Sequence, residues 1–231
     1  MSKLILVLNC GSSSLKGSVL NSENGDVLLS CLGEKLNLAD AYITFKVNGQ
    51  KERVDLSATP NHTGAVGAML EKLKAMGLES QIGAIGHRVV SGGEEYSESV
   101  LIDDSVMAAI EKCIPLAPLH NPANLLGIRA AQDIFKGLPN VAVFDTAFHQ
   151  TMPEHAYMYA IPRKFYRDLG VRRYGFHGTS YRFVAEEAAN VLGADKNNLK
   201  LVIAHLGNGA SITAVRNGKS MDTSMGLTPL E

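Results

Sequence analysis

Residues 4–30 and residues 201–224 read alike, and this echo constrains the fold more than any other feature of the chain. In the first stretch Leu4–Leu8 is apolar on both faces, as a buried strand is, and a polar turn, Asn9–Ser14, follows it. Leu15–Leu20 resumes as a strand, Asn24-Gly25 is a strong hairpin signal, and Asp26–Gly33 is a third strand. In the second stretch Leu201–His205 is the strand, Leu206–Ser211 the turn and Ile212–Arg216 the next strand. Asn217-Gly218 then turns into Lys219–Asp222. Glycine lets a backbone approach a ligand closely and present its N–H groups to phosphate oxygens. One such hairpin is commonplace. Two of them, each with a Gly-rich polar turn directly after a buried strand, suggest a phosphate chain gripped from two sides.

Between the echoes the pattern alternates. A hairpin runs through Tyr42–Val47, Asn48-Gly49 and Glu52–Leu56. Val66, Met69, Leu70 and Leu73 at helical spacing predict a helix over His62–Met76, stopped by Gly77. Ile82–Val90 is a strand, Asp104–Lys112 a helix, Pro115 to Pro122 a proline-broken loop, Ala123–Phe135 a helix, and Asn140–Phe144 a buried strand. A second region begins near Met152-Pro153, with helices at Arg163–Leu169 and Tyr181–Leu192. No low-complexity linker intervenes, so the boundary is a compact one, dividing residues 1–150 from 151–231.

Composition removes several function classes. Lys plus Arg is 22 and Asp plus Glu 23, a net charge of -1, without the basic excess of a nucleic-acid binder. No apolar run reaches the roughly 18 residues that cross a bilayer, so no membrane association is expected. Leu4–Leu8 is too short for a signal-peptide core. Three scattered cysteines (Cys10, Cys31, Cys113) suggest neither a disulfide framework nor a zinc site, and a reducing cytoplasm is the simplest compartment. Seven histidines raise a metal-hydrolase alternative, but no H-x-x-x-H or H-E-x-x-H pair exists.

Several residues could do chemistry, each with a plainer reading beside it. Asn9, Ser12, Ser13, Ser14 and Lys16 suit phosphate and Mg²⁺, or form an ordinary Ser-rich turn. Arg88 ends a strand, where α/β proteins bind ligands and where an Arg fork suits a carboxylate or phosphate; a surface salt bridge is equally in keeping. His120 sits in a proline-stiffened loop. Asp145 follows an apolar strand, the place of a catalytic or metal-binding carboxylate and also of a helix cap. His149 reads as structural. Arg172–Ser180 is dense in donors around Phe176 and His177, and its glycines predict unusual dihedrals.

These motifs together resemble the acetate kinase family. Leu8–Lys16, Gly86-His87-Arg88, Phe144–His149, Arg173–Ser180, His205–Gly209 and Met221–Pro229 all agree, and the likeness spans the chain from residue 3 onward. The resemblance implies an α/β, actin-like ATPase (ribonuclease H-like) fold: an amino-terminal domain in residues 1–150, and in 151–231 the start of a duplicated second one. It implies reversible phosphoryl transfer from ATP to acetate, giving ADP and acetyl phosphate, with Mg²⁺ or Mn²⁺. By the same resemblance Asn9 contacts the metal, Lys16 and Ser12 the nucleotide phosphates, and His205, Leu206, Gly207, Asn208 and Gly209 form the second phosphate hairpin. Arg88 holds the acyl carboxylate or phosphate. Val90, Leu119, Phe176 and Pro229 line the methyl pocket. His177 stabilises the transition state with His120 nearby, and Asp145 is the family's proton donor or acceptor.

Physics favours a different task for Asp145. The acceptor is itself a carboxylic acid, ionised at neutral pH, so a base has no proton to remove from it. Placing Mg²⁺ or Arg88 is the expected role. Gly17 stands where the family usually carries an aromatic residue, which predicts looser packing behind the first hairpin; Ser91 and Tyr181 stand where histidine is frequent. Family members run further than this chain, so an amino-terminal portion with little activity of its own is expected, as is a homodimer at full length. A propionate or butyrate kinase and a non-catalytic ligand-binding module are the alternatives.

Overall fold

The computed structural model describes residues 4–229. Strand β1 (Leu4–Cys10) alternates buried and half-buried positions, which sets Leu4, Leu6, Leu8 and Cys10 on one face. It pairs antiparallel with β2 (Leu15–Asn21), and β2 pairs antiparallel with β3 (Val27–Glu34). β4 (Tyr42–Val47) and β5 (Gln50–Asp55) extend the meander. On its other side β1 runs parallel to β6 (Ile82–Val89). With β7 (Val100–Leu101) and β8 (Asn140–Phe144) the sheet has eight strands, ordered β5-β4-β3-β2-β1-β6-β8-β7.

Helix α1 (His62–Ala75) is capped by Asn61, whose side chain accepts from the Gly64 amide at 3.1 Å. α2 (Asp104–Lys112) is capped in the same way by Asp103. α3 (Asn121–Ile134) packs against α1, β1 and β6. Its first turn includes Pro122, so the last proline of the segment read as a broken loop opens the helix, a position where a missing N–H costs nothing, while Pro115 and Pro118 precede it. Asn124 donates to the Cys10 carbonyl at 2.9 Å, and Gly127 lies so close that a Cβ there would sit 2.2 Å from Cys10 Sγ. These contacts fix α3 at the end of β1. Leu6, Leu8, Leu15, Phe45, Met69 and Leu73 belong to the core beneath. The packing behind Gly17 is not loose: a Cβ there would meet Met69 Cε at 2.5 Å and Cys31 Sγ at 2.8 Å. The thioether and thiol fill the space an aromatic ring would take.

The chain divides into two units. One comprises the chain up to Val89 with Val100–Ile114 and Pro118–Val143. The other comprises Val90–Ser99, Pro115–Ala117 and the chain from Phe144 onward. In the second unit a 3-10 helix (Ala147–Thr151) and two short helices, α4 (Glu154–Tyr157) and α5 (Lys164–Leu169), precede α6 (Gly178–Leu192). Then come β9 (Lys200–Leu206), β10 (Ala210–Arg216) and β11 (Lys219–Thr223), an antiparallel meander ordered β11-β10-β9. The strand–turn–strand–turn–strand echo is therefore a shared topology. Tyr181 and Ala185 of α6 cluster with Ile203 and Val215 on one sheet face, while Val202, Leu206 and Ile212 on the other are exposed.

Within this unit the buried Arg172 pairs with the exposed Glu94. Arg172 Nη1 donates to Glu94 Oε1 at 2.5 Å, its guanidinium lies 3.8 Å over the Tyr157 ring, and its side chain is 5% exposed. Glu94→Ala is expected to cost about 1–2 kcal/mol, because it takes a carboxylate from a buried cation while the carboxylate itself is partly solvated. Arg172→Met should cost less, and chemical denaturation of the two variants compares them.

Candidate functional site

The first turn is built in the first unit. The carbonyl of Gly11 accepts from His62 Nε2 at 2.7 Å, that of Ser12 from Asn37 at 3.2 Å, and that of Ser13 from the Leu36 amide at 3.0 Å. The N–H and C=O of one trans peptide point in opposite directions. The amides of Ser12, Ser13 and Ser14 are thus turned away from the donors that hold the carbonyls. Backbone amides presented in this way suit phosphate oxygens. Gly11 closes the turn internally, its amide donating to the Ser14 carbonyl at 2.8 Å. His62→Ala is expected to lower stability by about 1–3 kcal/mol, since it deletes a buried partner. Nucleotide protection against thermal unfolding should weaken with it.

Asn9 and Lys16 lie opposite each other in the β1–β2 ladder, so their side chains share a face. Arg88 at the end of β6 reaches the same place, Nη1 donating to Asn9 Oδ1 at 3.3 Å. Lys16 is exposed, and Asn9 and Arg88 are half-buried. Two cations beside an amide oxygen, next to outward amides, suit a phosphate or carboxylate. His87 turns the other way: it is buried, hydrogen-bonds Asn140 Oδ1 at 2.7 Å, and burial pushes its pKa below the usual value. In the same unit His120 is the half-buried N-cap of α3, and Leu119 is exposed.

The remaining candidates belong to the second unit. Asp145 is 2% exposed, and its carbonyl accepts from the Gly178 amide at 2.9 Å. A Cβ at Gly178 would lie 2.3 Å from that oxygen, so only glycine lets α6 start against Asp145. Val90 and Phe176 are brought together, buried with Ala117 and Met225. Leu119, in the other unit, is exposed, and Pro229 is half-buried. The unusual dihedrals fall on Gly175 (φ 72°) and on His177 itself (φ 58°). At Gly175 a Cβ would meet Thr223 Cγ2 at 2.6 Å and the His149 ring at 2.7 Å. His177 holds a left-handed conformation rare for a non-glycine residue, just before α6.

His177 and His205 stack, with ring centroids 4.1 Å apart and planes 22° from parallel. His177 Nδ1 bonds Ser211 Oγ at 2.8 Å, and His205 Nδ1 bonds Ser180 Oγ at 3.0 Å. Both face the Gly207–Gly209 turn. A Cβ at Gly209 would lie 3.6 Å from His177 Nε2, and one at Gly207 4.0 Å from His205 Nε2. Leu206, Gly207, Asn208 and Gly209 are exposed. Ser180 lies in the donor-dense stretch the sequence marks, but Tyr181 and Ser211 carry no such signal; no periodicity links 177, 181 and 211, and only the fold brings them together.

Among the described residues no cluster of three or more His, Cys, Asp or Glu could hold a metal ion, and no helix is long and apolar enough to cross a membrane. A metal carried in on phosphates fits this better than a protein cage, because Mg²⁺ takes one or two protein oxygens and keeps phosphate and water ligands.

The chain matches the model of the acetokinase family over residues 4–231. It is 76% identical to acetate kinase 1 of Neisseria meningitidis serogroup B over 99% of its own length and 58% of the relative's. It is 61% identical to acetate kinase of Chromobacterium violaceum, again covering 58% of that protein. The chain thus spans less than two thirds of the length of the curated relatives it matches. Among solved structures, a propionate kinase from Francisella tularensis aligns with TM-score 0.95 at 48% identity, over 100% of this chain and 59% of that one. Acetate kinase of Porphyromonas gingivalis aligns with TM-score 0.92 at 48% identity, over 99% of this chain and 59% of that one. The mixed α/β fold is the actin-like ATPase fold of acetate kinase structures. By its family match and its fold, the chain belongs to the acetokinase family.

Proposed function

We propose that the protein takes part in reversible phosphoryl transfer between ATP and acetate, giving ADP and acetyl phosphate. The observation that carries this reading is the pair of stacked imidazoles at the Gly207–Gly209 turn, on a chain 76% identical to an acetate kinase. Phosphoryl transfer needs positioning and charge neutralisation more than covalent help. The first turn's amides, Ser12 and Lys16 hold nucleotide phosphates, and the turn from His205 to Gly209 holds them in the second unit. Arg88 orients the carboxylate. Val90 and Phe176, with Leu119 and Pro229, take the acyl methyl. His177 donates to the transferring group, with His120 assisting. Asp145 places the metal or Arg88. Mg²⁺, held in part by Asn9, neutralises phosphate charge when bound. Residues 1–150 form the amino-terminal actin-like domain and 151–231 the start of a second, working in the cytoplasm as a homodimer at the relatives' full length.

Hydroxylamine trapping of the product from Mg-ATP and acetate, with protein from its native source and its intact mass recorded, tests this. Acetyl hydroxamate supports the kinase; its absence from pure protein with a native mass of 24.7 kDa refutes it. Propionate and butyrate belong in the same assay, because the Francisella tularensis propionate kinase aligns over the whole chain. One methylene changes the specificity constant by only about 10- to 200-fold.

A further inference from the structure

Ser211 Oγ sits between two ring groups. On one side it bonds His177 Nδ1 at 2.8 Å; on the other it makes a short hydrogen bond with the Tyr181 hydroxyl. Ser211 is 3% exposed and Tyr181 is fully buried. Ser211 faces inward because β10 alternates, with Ser211, Thr213 and Val215 buried. Tyr181 and His177 are one helical turn apart at the start of α6, so both rings reach Ser211.

Two arrangements relay the serine's one proton between the rings. Either Tyr181 donates to Ser211 and Ser211 donates to His177 Nδ1, or His177 Nδ1–H donates to Ser211 and Ser211 donates to the phenol oxygen. The first uses the phenol O–H as donor and an imidazole nitrogen, a good acceptor, as the terminus. The second makes the far less acidic imidazole N–H the donor and the phenol oxygen, a poor acceptor, the terminus. The first is therefore the stable one. A ring nitrogen that accepts leaves the proton on the other nitrogen.

We propose that Ser211 and Tyr181 are positioning residues that fix His177 as the Nε2–H tautomer and aim that N–H at the Gly207–Gly209 turn. The Nε2 edge faces the turn already, 3.6 Å from where a Gly209 Cβ would be. The value of the arrangement for catalysis rests on the phosphoryl-transfer reading: a donor locked in place before the reaction needs no reorganisation when charge develops on a phosphoryl oxygen. The left-handed backbone of His177 serves the same end, since it swings the ring off the helix toward β10.

The tautomer is directly measurable. Long-range ¹H–¹⁵N correlation spectra of the ¹⁵N-labelled chain at pH 8, with the His177 signals assigned through His177→Gln, should show a protonated Nε2 and a bare Nδ1. Ser211→Ala should turn this into a mixture of tautomers, Tyr181→Phe should do so in part, and Ser211→Thr should keep the wild-type pattern. Tyr181→Phe loses one oxygen, so it remains informative if Ser211→Ala folds poorly. A wild-type His177 protonated at Nδ1, or an unchanged tautomer in both Ser211→Ala and Tyr181→Phe, overturns the proposal. The kinetic arm separates it from the broader reading. If the wild-type protein forms acetyl phosphate, Ser211→Ala should lower kcat about 10-fold or more and move KM for ATP less. If the wild-type forms none, phosphoryl transfer fails and the spectra still decide the tautomer.

Discussion

Arg88→Ala is expected to lower acetyl-phosphate formation on the order of 10²–10³-fold in protein of native length, the scale of losing one preorganised donor at a developing charge. Three observations set this expectation. Arg88 ends β6, it is held against Asn9 by the 3.3 Å hydrogen bond, and Lys16 lies opposite Asn9 in the ladder. The guanidinium is therefore fixed on the sheet face that also carries the first turn's cation. Arg88→Lys keeps the charge but loses the planar fork, so it should recover only part of the rate. Steady-state kinetics with acetate and Mg-ATP varied separately distinguish the roles. A rise in KM for acetate alone would mean that Arg88 binds the ground-state carboxylate. A fall in kcat with kcat/KM would mean that its contact forms in the transition state. Wild-type kinetics from Arg88→Ala would remove Arg88 from the site.

Much of the fold is legible in the sequence. The run Leu4–Leu8 and the Asn24-Gly25 and Asn217-Gly218 turns placed both meanders, because strand alternation and turn chemistry are local. The motifs also pointed to the family the chain belongs to. Local signals misled where a residue serves two purposes. Gly178, Thr179 and Ser180 look like turn formers, yet α6 starts at Gly178, because a left-handed His177 ends the loop one residue earlier. Ala210 and Ser211 read as the tail of a polar turn, yet they are the first residues of β10, and Ser211 is buried to meet Tyr181. β7 has two residues and no pattern long enough to see. The site follows the same rule. Residues within one motif were found together, whereas contacts between motifs, such as Ser211 with His177 and Arg173 with Asp222, depend on strand register. Register is a tertiary outcome.

Acid is expected to destabilise the protein through His149, in a window the burial itself defines. The residue is fully buried; Nε2 donates to the Phe176 carbonyl at 2.9 Å and Nδ1 accepts from Ser220 at 2.8 Å. Burial lowers its pKa from 6.5 to about 4, with the Phe176 bond and the Asp145 charge opposing and His177 adding to the depression. Above about 6.5 neither the folded nor the unfolded chain protonates this ring, and its full contribution is present. Between 6.5 and about 4 the unfolded chain takes a proton that the folded one refuses, so stability falls as pH falls. Below about 4 both states are protonated and the loss is complete, at about 3 kcal/mol. His87 titrates in the same direction. Urea denaturation at pH 7.5 and 4.5 measures the drop. His149→Gln, whose amide can still donate to Phe176, should flatten it, and a variant as acid-sensitive as wild type would show that the loss comes from elsewhere. Because the His149–Phe176 bond ends one residue from His177, the first consequence of acid should be a loosened 175–177 segment. His177 ¹⁵N signals should broaden before the global transition.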